Sequence, residues 1–285
     1  MLNDDLQKAI EKLFPEADRS KALEMVEQML SSGFQVQTPD QSTAVKQILS
    51  RLENSPKRAE AIYEASHRRR KLWLAHPELY RAFAWALTRG GKYAKGYEVA
   101  TEGHRHFPDD AELLYVRALA SRRGGNLKLA ARLTRRLIKN PDLTGQLHVD
   151  ALSLRGKVYK KAMLRTAKDN PQRAVYARKT AENYEHAYNE TRDTFPGINA
   201  ASMWLMADDR DRCRKLASEV LAKEQQAKVP DAYLLWHYAT LGEAHLLLED
   251  YDSAIAEYTK LSELPSIGAG DLASMTEQLQ LLSEK

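Results

Sequence analysis

His104, Arg105 and His106 stand just ahead of Asp109 and Asp110, a grouping of residue types that can ligate metals. The run closes a helical stretch before Pro108, where histidine gains from the negative end of the helix dipole. A helix terminus is therefore the reading, and no metal is expected. Cys213, the single cysteine, would need a positioned histidine to act as a nucleophile. It falls on the second helix of a hairpin where a small packing residue belongs, so it reads as core. RGGKYAKG at 89–96 has neither the G-x4-G-K-[ST] spacing nor the preceding strand of a phosphate loop. Asp208, Asp209 and Asp211 read as caps of a turn. The basic run His67-Arg68-Arg69-Arg70-Lys71 would wrap more than one helical turn, which favours a solvated face over a nucleic-acid patch. No catalytic residue and no cofactor is expected from these groups.

The elements that hold them read as helices. Apolar spacing is helical through most of the chain, as in Val45, Ile48, Leu49 and Leu52, and strand signals are nearly absent. Breakers recur at intervals: RGG at 89–91, FPDD at 107–110, RGG at 123–125, NPD at 140–142, DNP at 169–171, FPG at 195–197 and KVPD at 228–231. Aligning 80–108 with 114–142 sets Ala84 over Ala118, Gly91 over Gly125 and Gly96 over Ala130, each pair 34 residues apart. That is the tetratricopeptide period. Residues 238–265 supply a third window, with Tyr238, Leu241, Gly242, His245, Ala254, Tyr258 and Pro265 in the consensus slots.

The expected fold is all-α, an α-α superhelix of about five tetratricopeptide-like hairpins. We expect helical capping elements over 1–75, the repeat array over 76–269 and a C-terminal capping helix over 270–285. Gly242, Ala84, Ala118 and Gly156 should be small where the first helix of a hairpin meets its second. Ala254, Gly96 and Ala130 should be small where the second helix meets the next hairpin, with Tyr238 and Tyr258 filling gaps between hairpins. Asn199 should cap or crosslink a turn after Pro196-Gly197.

The middle of the chain carries a family resemblance. LRGKVYKKAML at 154–164, AENYEHAYNET at 181–191 and FPGINAASMWLM at 195–206 resemble the tetratricopeptide region called the TRAFs-binding domain. Leu154, Gly156, Tyr159, Tyr184, Ala187, Gly197, Ile198, Asn199 and Ala201 match its pattern, and Phe195 stands where the family usually has Tyr. The resemblance covers roughly residues 75–265. Such regions occur in apoptosis signal-regulating MAP kinase kinase kinases and in bacterial proteins, where they accompany effector domains of conflict or signalling systems. The resemblance implies a regulatory or scaffolding array, with a signalling effector as a candidate partner. The chain has no kinase signature of its own.

Charge sharpens the expectation. The 285 residues carry a formal net charge of +4. Residues 56–139 hold 19 Lys and Arg against 8 Asp and Glu, a balance of +11, and residues 240–285 hold 2 against 9, a balance of −7. No stretch of about 18 apolar residues and no export signal is visible, so a cytoplasmic protein is expected. In tetratricopeptide arrays the first helices line a concave groove. That geometry selects Arg81, Trp85, Arg89, Tyr115, Arg122, Arg123, Lys157, Lys160 and Lys161 as a basic groove with aromatic residues interleaved. Thr88, Leu119 and Ser153 accompany them. Toward the C-terminal hairpins the groove turns apolar at Ile198, Leu205, Met206, Leu246 and Leu247. Such a surface suits a protein partner's acidic or carboxylate-bearing segment, through Arg forks. Two alternatives stay open: nucleic acid, with stacked bases and neutralised phosphates, and self-assembly into a homo-oligomer through opposite-charge ends.

Overall fold

The computed structural model describes residues 41–265 and 267–285. Expectations for residues 1–35 lie outside the described residues. Contacts divide the chain into two compact units, Met1–Ile48 and Leu49–Lys285. The first described helix is α1 (Gln41–Asn54), in which Ala44, Val45, Ile48 and Leu52 are buried.

From residue 59 on, the order is α2 (Ala59–His67), α3 (Arg70–Ala75), α4 (Pro77–Arg89), α5 (Tyr93–His106), α6 (Ala111–Arg123), α7 (Leu127–Ile138), α8 (Gly145–Leu164), α9 (Gln172–Thr191), α10 (Thr194–Met206), α11 (Arg210–Gln225), α12 (Leu234–Leu247), α13 (Tyr251–Ser262) and α14 (Ala269–Leu282). No strand occurs among the described residues. Helices α4 to α13 pair into five antiparallel-type hairpins, each packed on the next. First helices of successive hairpins also touch, α4 with α6, α6 with α8 and α10 with α12, and so build one inner face.

Local chemistry sets the boundaries. Asp110, Asn126, Asp209 and Asp250 each accept a hydrogen bond from the backbone N–H three residues on, capping α6, α7, α11 and α13. The two RGG breakers turn on Gly91 and Gly125, at φ +81° and +85°, a left-handed conformation that suits glycine. FPG at 195–197 behaves differently. Asp193 caps the helix by accepting from Phe195 N–H, and Pro196 and Gly197 lie inside α10. Proline is tolerated in a first helical turn, where no i−4 partner is lost. There is accordingly no turn for Asn199 to cap. Its Nδ2 donates to the Phe195 carbonyl one turn back, at 2.9 Å.

The small slots are filled as the repeat requires. A Cβ on Gly156 would stand 3.0 Å from the Tyr184 ring, and one on Gly242 would stand 2.9 Å from the Tyr258 ring. Gly96 departs from expectation: its nearest neighbours are Thr88 and Ala84 of α4, the first helix of its own hairpin. Tyr258 likewise fills space within its hairpin, against Gly242. In both cases a glycine lets the two helices of one hairpin approach closely, Gly96 against Ala84 and Thr88, and Gly242 against the Tyr258 ring. At the N-terminal side of this unit, Trp73 is fully buried between Tyr63, Tyr80 and Phe83, with ring centroids 4.9–5.3 Å away. Cys213 is buried too, and burial pushes its thiol up to about 11.

Candidate binding groove

The inner face carries two adjoining recesses that share Arg122, Arg123, Lys157 and Phe195. The first, about 270 Å³, includes Trp85, Tyr115 and Leu119. Trp85 and Tyr115 lie 5.7 Å apart between ring centroids. The Trp85 indole N–H donates to Glu112 at 2.7 Å, and the Arg89 guanidinium lies over the Trp85 ring at 4.7 Å. Arg81 is spent locally, 3.3 Å from Asp110 and 3.8 Å from Glu112. Arg81 and Arg89 therefore flank the recess and do not line it. Thr88 is fully buried and faces Gly96.

The second recess, about 630 Å³, lies between α6, α8, α12 and the C-terminal helix α14. It gathers Arg122, Arg123, Lys157, Lys160 and Lys161 with Tyr184, Phe195 and Trp236. Helix α14 is fastened across it by a polar chain. Lys160 Nζ donates to Gln278 Oε1 at 2.6 Å, Gln278 Nε2 donates to Glu243 at 2.6 Å, and Ser202 donates to the same carboxylate. Lys161 pairs with Glu277 at 3.7 Å, Arg173 and Lys168 hold Glu284 at 2.5 and 3.0 Å, and Lys285 reaches Asp208. Leu281 and Leu282 are buried in the cluster that contains Ile198, Met206 and Leu247. The apolar end of the groove is thus covered by the chain's own C-terminal helix. Leu272 of that helix is exposed.

Electrostatics separate the cations. Lys160 has Gln278 and Lys161 has Glu277, while Arg123 donates to the Thr88 carbonyl at 3.3 Å. Among the described residues Arg122 makes no ion pair, and its buried Nε has no acceptor. Lys157 has the Phe195 ring, 5.4 Å from Nζ, and feels Asp150 without forming an ion pair with it. Burial lowers the pKa of both, reinforced by Arg123 for Arg122 and by Arg122 for Lys157. Burial also holds the Glu243 carboxyl above its ordinary range, so this acid is poorly disposed to neutralise them.

Of the expected groove residues, the fold brings Arg122, Arg123, Lys157, Lys160 and Lys161 together, and Tyr184, Phe195, Trp236 and Gln278, not among the expected ones, border the same space. For Gln278 the signal in the sequence was the −7 balance of residues 240–285 beside a cationic groove. His67 and Arg70 of the basic run turn instead onto Glu102, with His67 at 3.2 Å. Among the described residues no group of three or more His, Cys, Asp or Glu side chains could hold a metal, and no helix is long and apolar enough to cross a membrane.

Comparison with known proteins places this geometry. Residues 92–204 match the family described as TPR-S: Tetratricopeptide Repeats-Sensor. No curated protein sequence matches the chain. Among solved structures, the thermophilic tetratricopeptide protein TTC0263 of Thermus thermophilus is similar at 16% identity and a TM-score of 0.52, covering 72% of this chain and 100% of that one. BtubC from P. vanneervenii is similar at 15% identity and a TM-score of 0.50, over 78% of this chain and 91% of that one. Human IFIT1, solved as a dimer with PPP-AAAA, is similar at 16% identity and a TM-score of 0.54, over 78% of this chain and 48% of that one. At these identities the likeness concerns the fold, and with the 34-residue period and the five hairpins it establishes the chain as a tetratricopeptide-like helical-repeat protein.

Proposed function

We propose that the chain is a non-enzymatic interaction and regulatory module whose groove takes an acidic segment of a partner protein. The observation that carries this reading is the placement of Arg122, Arg123 and Lys157 beside Trp85 and Tyr115, with neither Arg122 nor Lys157 in an ion pair among the described residues. Guanidinium forks and an ammonium on a rigid helical face suit carboxylates, and the aromatic pair offers apolar contact to the rest of a peptide. The resemblance of residues 75–265 to the TRAFs-binding domain supports a regulatory role, with a signalling effector as the partner class.

Titration with a peptide rich in Asp and Glu tests the reading. Charge-assisted contacts contribute roughly 1.5–3 kcal/mol each. Arg122→Glu combined with Arg123→Glu should therefore weaken binding by about 3 kcal/mol or more, on the order of a hundredfold. Helicity by circular dichroism should change by no more than fraying of the last turn of α6, where both arginines lie. Trp85→Ala should weaken binding by a smaller factor. Equal affinity of wild type and double variant would remove the proposal. Binding of a single-stranded oligonucleotide with a steep salt slope, and of no acidic peptide, would replace it with the nucleic-acid reading.

A further inference from the structure

The recess beneath α14 is larger than the one beside Trp85 and Tyr115, and its volume of about 630 Å³ lies in the range of small-molecule sites. Helix α14 of the same chain forms one wall. Arg122 and Lys157 converge on the recess from α6 and α8, half-buried and neither in an ion pair among the described residues. Bringing like charges together out of water is unfavourable unless an anion compensates them. The acids that border the recess are engaged elsewhere: Glu277 with Lys161, and Glu243 with Ser202 and Gln278. Asp150, which attracts Lys157 from the smaller recess, accepts from Gln146 at 2.9 Å and does not border this recess. The two cations are therefore incompletely compensated, with Arg123 exposed beside them and able to exchange a carbonyl for a charged acceptor.

We propose that this recess binds a small phosphate-bearing anion, with Arg122, Arg123 and Lys157 as its charge-neutralising groups. Phosphate suits the cluster better than a single carboxylate. It presents several acceptor oxygens and up to two charges to a guanidinium fork and an ammonium at once. Phe195 and Trp236 border the same space and are both substantially exposed, at 45% and 42%, which provides an apolar face for a ring joined to the phosphate. Helix α14 and the acidic segment 240–285 oppose a long polyanion, so the ligand is a small molecule. The inference shares Arg122, Arg123 and Lys157 with the acidic-segment reading and differs from it in leaving out Trp85 and Tyr115, which do not border this recess.

The test is thermal unfolding and calorimetric titration of the full chain with inorganic pyrophosphate and, separately, with adenosine triphosphate. Wild type should gain thermal stability from one or both probes. A larger gain with the nucleotide would assign the ring to the recess, and equal gains would assign binding to the phosphates alone. Lys157→Met should unfold at a higher temperature than wild type without anion, because a poorly compensated buried charge is gone, and should lose at least tenfold in affinity for the probe. Lys157→Gln, which keeps polarity, should show the same loss. Trp85→Ala should retain probe binding while weakening the acidic peptide, which separates this proposal from the groove. No stabilisation of wild type by either probe at millimolar concentration, or undiminished probe affinity in both Lys157 variants, would overturn the proposal.

Discussion

Arg122 and Lys157 sit among cations that are mostly paired. Arg81 has Asp110, Lys161 has Glu277, Arg173 has Glu284, and Arg214 has Glu249 at 3.1 Å. Most of these pairs are exposed and contribute little to stability, because solvent screens them and ordering long side chains costs entropy. The residues without an ion pair among the described residues matter more, since a half-buried charge with no counter-charge lowers stability. Glycine residues at the helix contacts have the opposite role. A Cβ on Gly197 would stand 2.6 Å from Val220 and 2.8 Å from the Tyr188 ring. Gly197→Ala should lower stability by about 1–3 kcal/mol through overpacking, even though alanine is the better helix former by about 1 kcal/mol. A fall in the urea midpoint at constant slope would confirm this, and a rise would show that Val220 and Tyr188 give way freely.

At the scale of elements, the hairpins were legible and the last helix was only half so. Gly156 and Gly242 could be assigned to helix contacts because the repeat demands small residues there, and Tyr184 and Tyr258 occupy the space they leave. Gly96 was placed on the wrong partner, because period alone does not say which of two neighbouring helices comes closer. FPG at 195–197 read as a turn since Pro and Gly punctuate chains, whereas the Asp193 cap absorbs both into α10. The apolar residues of 271–285 indicated a helix but not the surface it covers. That depends on Leu281, Leu282 and Gln278 meeting groups from other helices, far apart in sequence. Truncating Leu281 tests the docking. Leu281→Ala should cost about 2–5 kcal/mol. It should raise amide hydrogen exchange along α14 while leaving α4 to α7 protected, because repeat units couple mainly to their neighbours. Uniform loss of protection across the array would show that α14 is not a local element.

For the whole molecule, the small net charge conceals an uneven distribution. Acidic residues of 240–285 reach Lys161, Lys168, Arg173, Arg210 and Arg214, and Glu243 attracts Lys160, which ties the C-terminal half together. The basic stretch 56–139 holds 19 bases against 8 acids, and its Trp85, Tyr115, Leu119, Arg122 and Arg123 line one side of the smaller recess. Recognition of an acidic segment there is the central claim. The four tryptophans report on it independently: Trp73 and Trp204 are buried in the core, Trp85 stands in the smaller recess, and Trp236 borders the recess beneath α14. The most direct measurement follows their indole N–H resonances by nuclear magnetic resonance during titration with an Asp- and Glu-rich peptide. The claim predicts a saturable shift of the Trp85 signal with the Trp73 and Trp204 signals unmoved. A stationary Trp85 signal at saturating peptide, with shifts elsewhere, would contradict it.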